Sequence, residues 1–252
     1  MSKAYIFRGN VATPENIRTW GVDAGDVSVA AIPNTAYTTK LGPDANGDFT
    51  LGIESFGFQS AVCVAIARHN ISPGAIVWVE RQVVQGGAWI MHFRINPANT
   101  GNNAAAWLLP EGNYYAVRLR VAQHSEPWLR IGYFFAGAPT ELPRDFFVGH
   151  TPAPFDRQTR ITGGRGVGGD FLGERIERVD HGLTVTLKNV HQDDMRATFL
   201  PIIKSREPFF IAQNYIDRPT EVAFAWLLGD PRPTNARPNG MMDITLEMGA
   251  IY

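Results

Sequence analysis

Ala61-Val62-Cys63-Val64-Ala65-Ile66-Ala67-Arg68-His69-Asn70 is an apolar run that stops at a polar triplet, with Pro73-Gly74 marking a turn just beyond. About seven small and β-branched residues between turn formers are too few for a capped helix, and too continuous for a strand with one wet face. The run therefore predicts a strand buried on both faces. Arg68, His69 and Asn70 fall at the edge of the sandwich that such a strand implies. Exposed polar residues on loops often carry function. Buried strand ends also need donors for loop carbonyls, and the triplet is read here as that structural tie.

The composition agrees with a β protein. The 252 residues suffice for one large β domain or two of ordinary size, and folding at that length buries roughly 70–75% of the unfolded surface. Hydrophobic residues make up 44% and charged residues 19%, while 25 Gly and 17 Pro favour many turns over long helices. A net charge of -1 supplies no global field to hold a polyanion, which argues against a nucleic-acid partner. Arg157, Arg160, Arg165, Arg175 and Arg178 cluster, but Asp156, Asp170, Glu174, Glu177 and Asp180 are interleaved and cancel them. The single Cys63 rules out an internal disulfide and reads as core filler. The first residues lack the apolar centre of a signal peptide, and no stretch approaches the roughly 18 apolar residues of a membrane span. Synthesis and folding in a cytoplasm, with no membrane partner, are the expectation.

Alternation continues along the first half. Trp89, Met91, Phe93 and Ile95 point one way, against Ile90, His92 and Arg94. Tyr115, Val117, Leu119 and Val121 repeat the period with Arg118 and Arg120 outward, and Ile131 to Gly137 is a more apolar strand. Asn96 to Asn103 is turn chemistry throughout. Such spacing suits an antiparallel sandwich and leaves no room for βαβ units.

Pro139, Pro143, Pro152 and Pro154 then stiffen a connection. Thr162 to Asp170, rich in glycine, reads as a mobile loop or arm whose ordering costs backbone entropy. Gly182 to Val190 alternates as a strand. Asp193 is placed to cap a helix with Met195, Phe199, Ile202 and Ile203 on its apolar face, and Pro201 is expected to kink or shorten it. Phe209-Phe210-Ile211 and Val222 to Leu228 read as strands. Gly229 to Gly240, with Pro231, Pro233 and Pro238, is a long connection to a last strand with Met242, Ile244, Leu246 and Met248 inward. The expectation is an all-β protein, mainly β with one short helix, divided near residue 155 into domains 1–155 and 156–252.

No catalytic, cofactor or metal site emerges. Gly164-x-Gly166-x-x-Gly169 has the spacing of a dinucleotide fingerprint but is followed by strand or coil, not by the helix whose amides would bind pyrophosphate. His181 and His191 sit at opposite ends of a strand, and Asp193 and Asp194 are explained by the helix start. Cys63 and His69 lie roughly 20 Å apart on one strand. The acids Glu54, Glu80, Glu111, Glu126 and Glu141 form no recognisable pair. Trp107 and Trp128, with Asn102, could offer a stacking face and an amide to a sugar; the competing reading packs both tryptophans under loops.

Ala61 to Asn70 resembles the central strand of the discoidin-like (galactose-binding-like) jelly roll in the amino-terminal half of many tailed-bacteriophage virion proteins. The Trp78 strand, Tyr115-Ala116-Val117-Arg118-Leu119-Arg120 and Ile131-Gly132-Tyr133-Phe134-Phe135-Ala136-Gly137 are similar to further phrases of that pattern. The carboxyl half, from Leu183 to Leu187 through Pro208-Phe209-Phe210-Ile211 to Glu247, resembles the small β domain that follows in minor and distal tail proteins. The resemblance implies an N-terminal jelly-roll sandwich and a smaller second β domain. It further implies a non-catalytic tail or tail-tip protein of the virion whose partners are other virion proteins and copies of itself. Gly164, Arg165, Gly166, Pro233 and Arg237 are then the candidate assembly contacts. The rival is a carbohydrate-binding module for host surface glycans.

Overall fold

A computed structural model of the chain describes residues 4–7, 17–18, 39–59, 62–100, 103–110, 112–152, 155–165, 171–237 and 239–252. In chain order the first strands are β1 (Tyr5–Phe7), β2 (Ile17–Arg18), β3 (Thr39–Leu41), β4 (Phe49–Gln59), β5 (Val62–His69) and β6 (Ile76–Gln82). There follow β7 (Ile90–Arg94), β8 (Ala104–Leu109), β9 (Gly112–Ala122), β10 (Leu129–Gly137) and β11 (Pro139–Glu141). The remainder are β12 (Arg157–Arg165), β13 (Phe171–His191), β14 (Phe209–Ala212), β15 (Val222–Leu227), β16 (Thr234–Arg237) and β17 (Met241–Ile251). The expected all-β class holds.

Strands β3 to β10 form the sandwich. One sheet runs β3-β10-β5-β8 and the other β2-β4-β9-β6-β7. Counting from β3, the first, eighth, third and sixth strands share one sheet, while the second, seventh, fourth and fifth share its partner, which is jelly-roll connectivity. Every paired strand is antiparallel. Between the sheets lies a core of Leu51, Ile53, Val77, Val79, Leu119 and Val121 from one side and Val64, Ile66, Trp107, Leu109 and Ile131 from the other.

β5 is buried on both faces, as its composition requires. Val62, Val64 and Ile66 point into the sandwich core. Cys63, Ala65 and Ala67 point the other way, into a second apolar layer with Ala104 and Ala106 of β8. Small side chains on this face leave room for large ones opposite: Phe7, Phe210, Phe224 and Tyr215. Tyr133 stacks on Phe224 at 3.9 Å, and Phe7 meets Tyr215 edge-on at 4.9 Å. Burial pushes the Cys63 thiol well above its usual range, consistent with the filler role.

The alternation of β5 and β10 is reset at one place. Arg68 takes a left-handed φ of 58°, and opposite it a Cβ on Gly132 would lie 2.9 Å from the Arg68 Cβ. Before this point Tyr133 and Phe135 face the second layer; beyond it Ile131 and Leu129 face the sandwich core. A glycine is required there because the twisted partner strand occupies the space of any side chain.

The second layer joins the sandwich to an eight-stranded sheet of order β11-β1-β14-β15-β17-β13-β12, with β16 also pairing β17. This sheet's far face is covered by one continuous helical stretch: α1 (Gln192–Asp194), a π turn (Met195–Phe199) and α2 (Leu200–Ser205). Met195, Phe199 and Ile202 are buried there against Val185, Leu187, Ile244 and Leu246, and Ile203 is half-buried. Pro201 does not shorten the helix but distorts it locally. The preceding turn widens to the π form, which accommodates a residue without an amide donor. The cap also differs from expectation: His191, not Asp193, is the N-cap and accepts the Asp193 amide at 3.3 Å.

The division near residue 155 does not follow the sheets. β1 and β11, both before it, pair with each other and lie in the eight-stranded sheet, with Tyr5 opposite Glu141. Leu142 and Phe146 pack in that sheet's helix-side core. The sandwich is thus an insertion between two hydrogen-bonded neighbours of the second unit. Sequence alternation could not reveal this, because β1 is three residues long and its partners are distant in the chain. The layers are also tied by backbone, the Ala106 amide donating to the Pro219 carbonyl at 2.8 Å.

Candidate functional site

Two members of the polar triplet at the end of β5, His69 and Asn70, tie down neighbouring backbone. Asn70 donates through Nδ2 to the Trp128 carbonyl at 3.0 Å and to Glu126 at 2.6 Å, and its Oδ1 accepts the Arg130 amide at 2.6 Å. His69 Nδ1 accepts the Ile71 amide at 3.3 Å, while Nε2 is buried without a hydrogen-bond partner among the described residues. Burial pushes the His69 pKa down from 6.5 to about 4. Between those values the unfolded chain takes up a proton that the folded chain refuses, so stability falls as pH drops through that window, by up to about 3 kcal/mol. Burial and the Arg81 charge lower His92 too, which adds in the same direction. His69→Gln keeps an acceptor for the Ile71 amide and should flatten the pH dependence of urea midpoints measured from pH 7 to pH 4. An unchanged slope would remove His69 from the account.

Of the three sugar-contact candidates, Trp107 is closed to a ligand. Trp107 pairs with Val64 from β8, the strand at one edge of the four-stranded sheet, and is 1% exposed, so its ring faces the sandwich core. Trp128 is half-buried in the loop before β10. Asn102 lies outside the described residues. Trp107 is therefore corrected from candidate contact to core residue, and from a position under loops to one inside a strand.

Buried and half-buried aromatic and charged groups gather instead on the outer face of the five-stranded sheet. Glu80 of β6, 4% exposed, receives Arg118 Nε at 2.7 Å and Arg120 Nη2 at 3.1 Å. Arg120 also reaches Asp48 at 3.0 Å. The two guanidiniums cap tryptophan rings, Arg118 over Trp89 at 3.9 Å and Arg120 over Trp78 at 4.0 Å. Trp89 is half-buried beneath Arg118, contrary to its expected core position, because β7 is an edge strand with Ile90 and Met91 largely exposed. The sequence showed Arg118 and Arg120 facing outward, but their pairing with Glu80 depends on the β6–β9 register, in which Glu80 is opposite Arg118.

Two of the assembly candidates belong to a long hairpin. β12 pairs with β13 from Arg157 opposite His181 to Arg165 opposite Phe171, with Gly164 facing Gly173. β13 pairs with β17 only from His181 onward. The nine residues of β12 and the matching part of β13 therefore form a two-stranded arm, roughly 30 Å long at 3.3 Å per residue. Thr162 to Arg165 is strand and belongs to this arm, the second of the two forms expected for the segment, while Gly166 and residues 167–170 lie outside the described residues. The residues after the glycine segment open a strand, so no helix terminus faces it. No family model, curated protein or solved structure matches this chain. Function must be argued from these surfaces, since jelly rolls serve capsid proteins and lectins alike.

Pro233 is half-buried in the segment before the last hairpin, and Arg237 ends β16 opposite Met241. Part of the expected long connection is thus a paired strand. Arg237 lines a cleft of about 590 Å³ together with Arg144, Lys188, Asn189 and Asn239, a position the spacing of these residues in sequence did not indicate. His181 and His191 sit at opposite ends of the β13–β17 pairing, opposite Ala250 and Met241. Among the described residues, no group of three acids, histidines or cysteines is arranged to hold a metal.

Proposed function

We propose that this protein is a structural component of a bacteriophage particle, a tail or tail-tip protein that mediates assembly contacts or fibre attachment and performs no catalysis. The observation that supports it is the arm. An isolated two-stranded hairpin is marginally stable in water, and both outer edges of this one lack a partner strand among the described residues. Such edges present rows of free amides and carbonyls, and pairing with a neighbouring chain satisfies them. Phe155 at 77% exposure and Ile161 at 50% place apolar surface at the arm's base and along it, which a neighbour would cover. The virion-like phrases support the same reading, since they fall on β5, β6, β9 and β10 of a jelly roll. The partners on this reading are other virion proteins and further copies of the chain, and the location is the tail.

Deleting Gly163 to Gly169 should impair incorporation into particles while leaving the thermal unfolding of the purified chain within a few degrees of the parent. Incorporation at the parental level, measured by particle composition, would refute the assembly role of the arm.

A further inference from the structure

We infer that the cleft between the 144–148 segment, β13 and the β16–β17 hairpin is a binding site for an anionic sugar unit, one bearing a carboxylate or a phosphate group. This site is separate from the arm and stands or falls independently of the assembly reading.

Arg144, Lys188 and Arg237 converge on the cleft. Several other surface arginines have carboxylate partners, Arg196 with Asp193, Arg206 with Asp230 and Arg218 with Glu221, whereas Arg94, Arg130 and Arg232 stand singly among the described residues and are not gathered with other cations in one cleft. The three cleft cations have no carboxylate partner among the described residues. Asp145 is the single acid lining the cleft, and its Oδ1 already accepts the Ala4 amide at 3.2 Å. Three gathered positive charges repel one another, and their summed field attracts an anion to the open cleft. A bound anion would relieve that repulsion.

The floor is built to hold its shape. The β13–β17 register shifts between Leu187 and Val190, and within that bulge Asn189 takes a left-handed φ of 55°. Its amide donates to Asp243 Oδ1 at 2.8 Å, and its carbonyl accepts Arg144 Nε at 3.2 Å. Arg144 is thereby fixed through Nε with its two terminal nitrogens left for a ligand, a fork that matches carboxylate or phosphate oxygens. Lys188 Nζ rests 3.6 Å from the Phe147 ring centroid, which orders that side chain. Bulges that re-aim side chains recur beside functional sites. The volume exceeds a bare ion and falls in the range of small-molecule sites, and the Asn189 and Asn239 side chains add amides suited to hydroxyl groups.

Titration of the full chain with glucuronic acid, glucose 6-phosphate, glucose and inorganic phosphate, followed by amide chemical shifts, tests the site. At least one acidic sugar should shift Asn189, Asn239 and their neighbours saturably, glucose should not, and the responding acid distinguishes carboxylate from phosphate. Arg237→Gln and Lys188→Gln should each weaken binding roughly ten-fold, the loss of one charge-assisted contact, with unfolding unchanged because both side chains are exposed. Arg196→Gln, on the helix surface, should bind as the parent does. Equal response to glucose, binding indifferent to the cleft variants, or a response to inorganic phosphate alone would overturn the inference.

Discussion

Trp107→Ala should destabilise the folded chain by about 3–5 kcal/mol, the range for emptying a buried tryptophan site. The ring is 1% exposed, within the jelly-roll core and on a strand whose neighbour β5 is itself buried on both faces. Neither sheet can close over the cavity without moving, because the four-stranded sheet is held from behind by the aromatic layer of Phe7, Phe210 and Phe224. A loss of that size is a large fraction of the stability of an ordinary domain. Trp128→Ala, at a half-buried loop position, should cost distinctly less. Urea unfolding of the two variants side by side gives the comparison. A Trp107→Ala cost below about 1 kcal/mol would mean that the ring is not in the core and would reopen it as a ligand contact.

The sequence made the strands legible wherever period or composition was strong. Val117, Leu119 and Val121 alternate and are core; Ile244, Leu246 and Met248 alternate and are core. Ala61 to Ala67 carries no alternation, and that absence was itself informative, since both faces of β5 are covered. The division into domains was not legible, because membership of β1 and β11 in the second sheet is fixed by pairing between Tyr5 and Glu141 and between Ile6 and Ile211, with no local signal. Glycine content at Thr162 to Arg165 left a loop and an arm open, and the pairing makes it an arm. Entropy disfavours glycine in strands, yet Gly163 and Gly164 are held by a partner strand. The cleft was invisible for the same reason as β1: Arg144, Lys188 and Arg237 are each unremarkable in sequence, and only the order of strands in the sheet assembles them.

The outer face of the jelly roll offers the second large effect, because Glu80 is a nearly buried carboxylate shared by two arginines. Glu80→Ala should cost about 3 kcal/mol, toward the lower end of what breaking a buried pair entails, since Arg120 remains partly open to water. With the carboxylate gone, Arg118 keeps a side chain only 14% exposed and faces Arg120, whose remaining partner is Asp48. Glu80→Gln retains hydrogen-bond acceptance without charge, so it should fall between parent and Ala. The stacking on Trp89 and Trp78 depends on the same arginine positions. Tryptophan fluorescence should therefore report release of both rings in the folded Glu80→Ala variant, and the stability loss should persist at high salt, which screens exposed pairs but not buried ones. A loss under about 1 kcal/mol that vanishes in 1 M salt would identify the ladder as an ordinary surface pairing, leaving Trp78 and Trp89 to be held by the sheet alone.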